Sequence, residues 1–308
     1  MIFEKSILRL RSKSAALVLD RTHFMEKRSE SKGLWLFFAL TYGIMLLTWG
    51  LMALYQIPGG SATPGSPSPT CPGLLLFFLG GFSPSIAGVL LTWRTGGRTG
   101  LRELWRRALQ FNLGWSSYGV ILLLPMMMLG LRLAVHMMRG GTILASPLLT
   151  QPLRLVAFTM AMILGGAVSE EFGWRGFALD RLLGKWRPGA ANMILGLSWA
   201  FWHGPLFFIP GTAQAARGKA IVELALFAAW IIPLTVVFTW LHIRTGRSLF
   251  AAVLFHATIN WTNSFAGTLI RGGLIDQLTG MAAMAFFAAA AMIWWKPSRR
   301  PGAMKIGP

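Results

Sequence analysis

Runs of about twenty apolar residues recur along the whole chain, and no other feature restricts its fold so severely. At about 1.5 Å of helix rise per residue, each run matches the roughly 30 Å of hydrocarbon in a bilayer. Inside that layer the backbone must satisfy its own hydrogen bonds, so the fitting class is an all-α, polytopic transmembrane bundle. Composition agrees: of 308 residues 54% are hydrophobic and 13% charged, against about 25% charged in soluble domains. No polar stretch is long enough to build a large soluble domain. Eight spans are expected, at about 34–55, 74–93, 116–138, 153–171, 191–210, 220–241, 248–268 and 277–295. Gly80, Gly81 and Pro84 interrupt the second, and the fifth is taken to include Gly204 and Pro205. The expected organisation is a basic tail at 1–33, one transmembrane domain at 34–295 and a second basic tail at 296–308.

A net charge of +19 in a soluble protein would point to nucleic acid. Here the basic residues lie in loops between apolar runs, which is an orientation signal, and no nucleic-acid partner is expected. Eight Lys and Arg precede residue 34, none lies between Gln56 and Pro72, and five follow from Arg94 to Arg107. The alternation continues, with Arg139 and Arg154 alone outside and Arg175, Arg181, Lys185 and Arg187 clustered inside. Arg217 and Lys219 are its one exception. Eight spans with both termini cytoplasmic fit this pattern, as for a multi-pass protein of the cell membrane. Trp93, Trp115, Trp294 and Trp295 sit near span ends as interfacial anchors, and the Gly/Ser/Pro loop before Cys71 reads as flexible and external. Cys71 is the only cysteine, so there is no intrachain disulfide and no thiolate metal cluster. Without an internal repeat, an inverted-repeat transporter fits poorly.

Against this background, a few polar side chains inside apolar runs carry the information. A charge at mid-helix costs roughly 2.5–3.5 kcal/mol on insertion scales. Glu170 and Glu171 are followed by Arg175, then by His203 in Trp199-Ala200-Phe201-Trp202-His203, then by His256 and Asn260. Glu171 and Arg175 are four apart on a helix and share a face, where they pair. Glu170 points about 100° away, free to act as a general base. His256 and Asn260 also share a face. Counted from the cytoplasmic end of each span, Glu170 lies roughly 9 Å in if its helix runs to about Gly176. His256 comes out near 12 Å, and His203 and Asn260 near 18 Å. One hydrated cavity could therefore collect all four, as a site that activates water inside the membrane.

The remaining polar groups are given bland roles. Glu223 snorkels or pairs with Lys219, and Arg132 reaches the outer interface. His23, His136 and His242 lie near span ends or in the tail and are assigned no catalytic part. No G-x-S-G nucleophile is present, and Asp20, Asp180 and Asp276 offer no aspartate pair.

Three motifs in order, E-E-x-x-x-R at Glu170 to Arg175, an aromatic four residues before His203, and H-x-x-x-N at His256 to Asn260, resemble the CPBP family. That family holds the type II CAAX prenyl endopeptidases and the bacterial Abi proteins linked to bacteriocin processing and immunity. The resemblance runs from about Leu74 to Asn260. Trp199 stands where the family pattern has Phe, a change expected to affect packing more than chemistry. The resemblance implies an intramembrane endopeptidase whose substrate is a membrane-associated protein or peptide. It implies that Glu170 and His203 activate the attacking water while His256 and Asn260 stabilise the oxyanion. A cofactor is not expected. A His/His/Glu zinc site is sterically conceivable, but no H-E-x-x-H supports it. The alternative is a non-enzymatic immunity or scaffold protein that retains the motifs.

Overall fold

The computed structural model describes residues 33–59 and 70–294. The tails at 1–32 and 296–308, Trp295 and most of the Gly/Ser/Pro loop lie outside the described residues. Among the described residues there are eight helices of fifteen residues or more and no strand. They are α1 (Gly33–Leu54), α2 (Cys71–Ala108), α3 (Trp115–Met138), α4 (Pro152–Lys185), α5 (Pro188–Trp202), α6 (Ala220–Arg244), α7 (Leu249–Leu269) and α8 (Leu274–Trp294). Six are long and apolar enough to cross a bilayer, and the molecule is an integral, multi-pass membrane protein. The two outside that set, α5 and α7, lead into His203 and carry His256. α5 has only fifteen residues, and α7 has His256, Asn260 and Asn263 along its middle.

Five expected spans match their helices to within three residues at both ends, and the second, fourth and fifth differ by more. The second and fourth helices extend well past the apolar runs that announce them. α2 runs to Ala108 through a break at Gly97, whose φ of 55° and ψ of −147° lie outside the helical region. α4 runs nine residues beyond Gly176, so Glu170 lies about 22 Å from the helix end on a rise of 1.5 Å per residue, deeper than the span pattern implied. The fifth helix, in contrast, stops at Trp202 instead of including Gly204 and Pro205. Pro205 has no N–H and its ring crowds the preceding turn, so the chain tightens into a 3₁₀ turn over Gly204–Phe207.

The Gly/Pro stretch in α2 is a packing surface rather than an interruption. α2 stays helical through Pro84 and presses its small residues onto the middle of α4. A Cβ added at Gly88 would stand 2.7 Å from the Gly173 Cα and from the Phe172 carbonyl oxygen. Only two glycines let the backbones approach so closely, as small residues do between membrane helices. Ser85 donates from Oγ to the Val168 carbonyl at 2.9 Å, and Trp202 Nε1 donates to Ser83 Oγ at 2.9 Å. α5 packs on α6, α7 on α3 and the first half of α4, and α8 on α3 and α6. Ser248 caps α7, its Oγ accepting from the Ala251 N–H at 3.1 Å.

Candidate active site

The middle of α4 is wound unevenly. Two π-helical stretches, Met162–Val168 and Trp174–Ala178, flank one α-helical turn, Ser169–Gly173. Such wide turns leave carbonyls without their usual partners and recur at functional sites. Here Ser85 of α2 takes the Val168 carbonyl, and the turn between the bulges carries Glu170 and Glu171. Both glutamates are buried, as is Arg175.

Glu171 and Arg175 pair as the four-residue spacing predicts, with Arg175 Nη1 donating to Glu171 Oε1 at 2.7 Å. Neither side chain is exposed. The guanidinium carbon also lies 3.8 Å from the ring centre of Phe238 and 4.3 Å from that of Trp199. Two aromatic faces thus share the charge with the carboxylate. The same Glu171 Oε1 accepts a 2.7 Å hydrogen bond from His256 Nδ1. A carboxylate ion paired with arginine only accepts, so the proton of this bond sits on His256 Nδ1, and Nε2 faces the other way.

His203 is oriented by a different device. Where α5 tightens at its end, the His203 backbone N–H turns to the Ala200 carbonyl at 3.1 Å. The Trp199 carbonyl, its partner in a continuing α-helix, then takes the His203 imidazole Nδ1–H at 2.9 Å. The proline that ends the helix therefore supplies the acceptor that sets the tautomer. His203 Nε2 is left pointing inward.

Both inward nitrogens meet the same oxygen. Glu170 Oε1 lies 3.9 Å from His203 Nε2 and 4.0 Å from His256 Nε2. These separations exceed direct hydrogen bonds and match groups bridged through one small molecule. Glu170 Oε2 is taken up separately, accepting a short hydrogen bond from Trp199 Nε1. The expectation that tryptophan in place of phenylalanine affects packing more than chemistry is thus corrected. The indole N–H is the one donor on Oε2 among the described residues, and phenylalanine has none to offer.

Glu170, Glu171, Arg175, His203 and His256 form one contiguous cluster on α4, α5 and α7. Asn260 stands one turn beyond His256 on α7. A Cβ on Gly166 would come within 2.7 Å of its Nδ2, so its amide lies against the first π-helical stretch of α4.

A second polar cluster escaped sequence reasoning. Asp180 accepts from His242 Nε2 at 2.9 Å, from Arg107 Nη1 at 3.1 Å and from Arg247 Nη2. Arg107, which the charge pattern places in a cytoplasmic loop, is buried. It also donates to the carbonyls of Arg175 and Gly176, at 3.1 and 3.3 Å. This clasp ties α2, α4, α6 and the turn before α7 together directly beneath the active-site segment. The scarcity of acids could have drawn attention to it: with ten Asp and Glu in 308 residues, each acid in an apolar run needs a partner. Two of the remaining polar groups hold partners on α8. Arg132 binds Asp276 through Nε and Nη2 at 2.8 and 2.7 Å. Glu223 accepts from Gln277 Nε2 of α8, at 3.2 Å to its nearer oxygen.

Comparison with known proteins falls on this region. Residues 152–262, from the start of α4 into α7, match the family model for type II CAAX prenyl endopeptidases, Rce1-like. CAAX prenyl protease 2 of Methanococcus maripaludis is 30% identical over 133 residues, which make up 43% of this chain and 47% of that protein. The chain thus spans about half the length of the curated relative it matches. The segment that holds Glu170, His203 and His256 is similar to the CAAX prenyl endopeptidases that its three motifs resemble.

Proposed function

We propose that this chain is an intramembrane endopeptidase that hydrolyses a peptide bond near the C-terminus of a CAAX-type, membrane-associated substrate. One observation carries the reading: a single carboxylate oxygen, Glu170 Oε1, faces the Nε2 atoms of two oriented imidazoles at 3.9 and 4.0 Å. That space suits one water. The water has two protons to donate and three converging partners, Glu170 Oε1, His203 Nε2 and His256 Nε2. Two of these accept, and the third must itself bring a proton.

His256 is the group placed to bring it. Its Nδ1–H already serves Glu171, so an Nε2–H makes it an imidazolium. Two anions, Glu170 and Glu171, then face two cations, Arg175 and His256, and the buried cluster is neutral. In this arrangement the water donates to Glu170 Oε1 and to His203 Nε2. As its oxygen attacks the scissile carbonyl carbon, Glu170 takes the proton. The carbonyl oxygen becomes an oxyanion that accepts from His256 Nε2–H and the Asn260 amide, donors carried one turn apart on α7. Collapse breaks the C–N bond, and Glu170 returns its proton to the leaving amine. Glu171 and Arg175 touch no reacting atom and act by holding His256.

Metal-free chemistry is the reading adopted. Tetrahedral zinc with bonds near 2.1 Å sets ligand atoms about 3.4 Å apart, and the two Nε2–Oε1 separations are wider by about half an ångström. The decisive experiment is Glu170→Gln in proteoliposomes supplied with a prenylated CAAX peptide. The expected result is loss of peptide release by more than about 10³-fold, a general-base contribution at the usual magnitude or above it, with thermal unfolding unchanged. Release at the wild-type rate would overturn the mechanism. No cleavage of any CAAX or membrane peptide by the wild-type protein would favour the non-enzymatic alternative.

A further inference from the structure

At the opposite end of the bundle from the Asp180 clasp, the end of α3, the α7–α8 turn and the start of α8 enclose a recess of about 260 Å³. Arg132, His136, Arg139, Arg271 and Asp276 line it. A second hollow beside it shares His136, Gly141 and Arg271. Sequence alone treats Arg139 and Arg271 as isolated basic residues of separate external loops. The fold brings them to one place.

The charges in the recess do not cancel. Asp276 is held by the fork of Arg132, and the remaining Nη1 of Arg132 donates to Asn263 Oδ1 at 3.0 Å. That pair is neutral and largely buried. His136 Nε2 donates to the Thr142 carbonyl at 3.2 Å. Arg139 and Arg271 have no acid partner among the described residues, so two guanidinium charges face the recess unbalanced. The walls are shaped to hold this arrangement. A Cβ on Gly141 would meet the His136 ring, and one on Gly272 would stand 2.6 Å from Asp276 Oδ2. Glycine at both positions lets the imidazole and the carboxylate lie back against the wall and leaves the centre open.

We propose that this recess binds a phosphate-bearing group, supplied by the headgroup of an anionic phospholipid. Guanidinium forks match phosphate oxygens in geometry and charge. The volume lies just below the roughly 300 Å³ at which ligand pockets begin, enough for a phosphate with a small headgroup. Position selects the lipid as its source: α3 and α8 are both membrane-spanning candidates, and the recess opens where one ends and the other begins, at headgroup level. The exposed apolar flanks of the same helices, Leu131, Met137 and Leu278, would lie along the acyl chains. This site is independent of the proteolytic reading, because it shares no residue with the cluster around Glu170.

Native mass spectrometry of the full chain, released from nanodiscs containing phosphatidylcholine with one-fifth phosphatidylglycerol, tests it. Wild-type protein should retain phosphatidylglycerol in preference to phosphatidylcholine. Arg139→Ala with Arg271→Ala should lower that retention about 30-fold, at about 1 kcal/mol per arginine near a lipid surface. Both side chains are exposed, so the variant should fold, and its unfolding midpoint in lipid-free detergent serves as the check. Arg94→Ala with Arg98→Ala, on α2 at the other end of the bundle, should leave retention unchanged. Equal retention by the recess variant and wild type would overturn the proposal. So would loss of phosphatidylglycerol from the mixed discs on adding millimolar inorganic phosphate, which would make the ligand a soluble anion.

Discussion

Replacing Trp199 with phenylalanine isolates a single hydrogen bond at the centre of the proposed chemistry. The ring stays, and with it much of the contact to Arg175, Phe238 and His256. What goes is the indole N–H, the donor on Glu170 Oε2. With Oε2 held, the carboxylate cannot rotate, and Oε1 stays between the two imidazoles. Without it, a buried carboxylate oxygen loses its partner. Hydrogen bonds to charged groups contribute about 1.5–3 kcal/mol, which converts to about a 10- to 150-fold loss in kcat/KM if the free energy falls on the transition state. The loss should appear in kcat, with KM little changed, because Trp199 touches the base and not the substrate. The assay is release from a quenched prenylated peptide by protein in proteoliposomes. A double-mutant cycle separates positioning from packing: in a Glu170→Gln background, the Trp199→Phe change should cost almost nothing further. A folded Trp199→Phe enzyme within two-fold of wild type would refute the reasoning, and so would a full additional loss in the Glu170→Gln background.

Other expectations follow from the same geometry. Gly88→Ala should push α4 away from α2, since the new methyl would meet the Gly173 Cα and Phe172 carbonyl at 2.7 Å. Misplacement on the ångström scale costs about 10²-fold in turnover, readable in the same peptide assay with binding retained. Asp180→Asn should destabilise the fold by about 3–5 kcal/mol, because it leaves buried Arg107 without its counter-ion; denaturant titration of the purified protein in mixed micelles checks this. Treatment with 1,10-phenanthroline should leave cleavage intact, and inhibition reversed by zinc would turn the mechanism to a metal-bound water.

Much of this architecture was legible because lipid imposes a strict pattern. Apolar runs marked all eight long helices, and the pairing of Glu171 with Arg175 followed from helical spacing alone. What escaped was what depends on neighbours. Gly80, Gly81 and Pro84 looked like a break because their value lies in the partners they admit, Trp49 of α1 against the two glycines and Gly173 of α4 against Pro84. Helix α4 outran its apolar run because Arg175, Asp180 and Arg181 are accommodated by other side chains rather than by water. Trp199 looked like a mere ring substitution, since nothing in one sequence shows where an indole N–H will point. Asp180 and His242, 62 residues apart, could be joined only once α4 and α6 were placed side by side.

The short α5 and the polar middle of α7 bear on how the protein is made. A translocon partitions each segment by its own affinity for lipid, and charged or amide side chains at mid-helix oppose that transfer. These two segments therefore need α4 and α6 already waiting in the bilayer to receive them. Assembly of the candidate site and insertion of α5 and α7 become one event, so a chain that reaches its full topology has already closed its site.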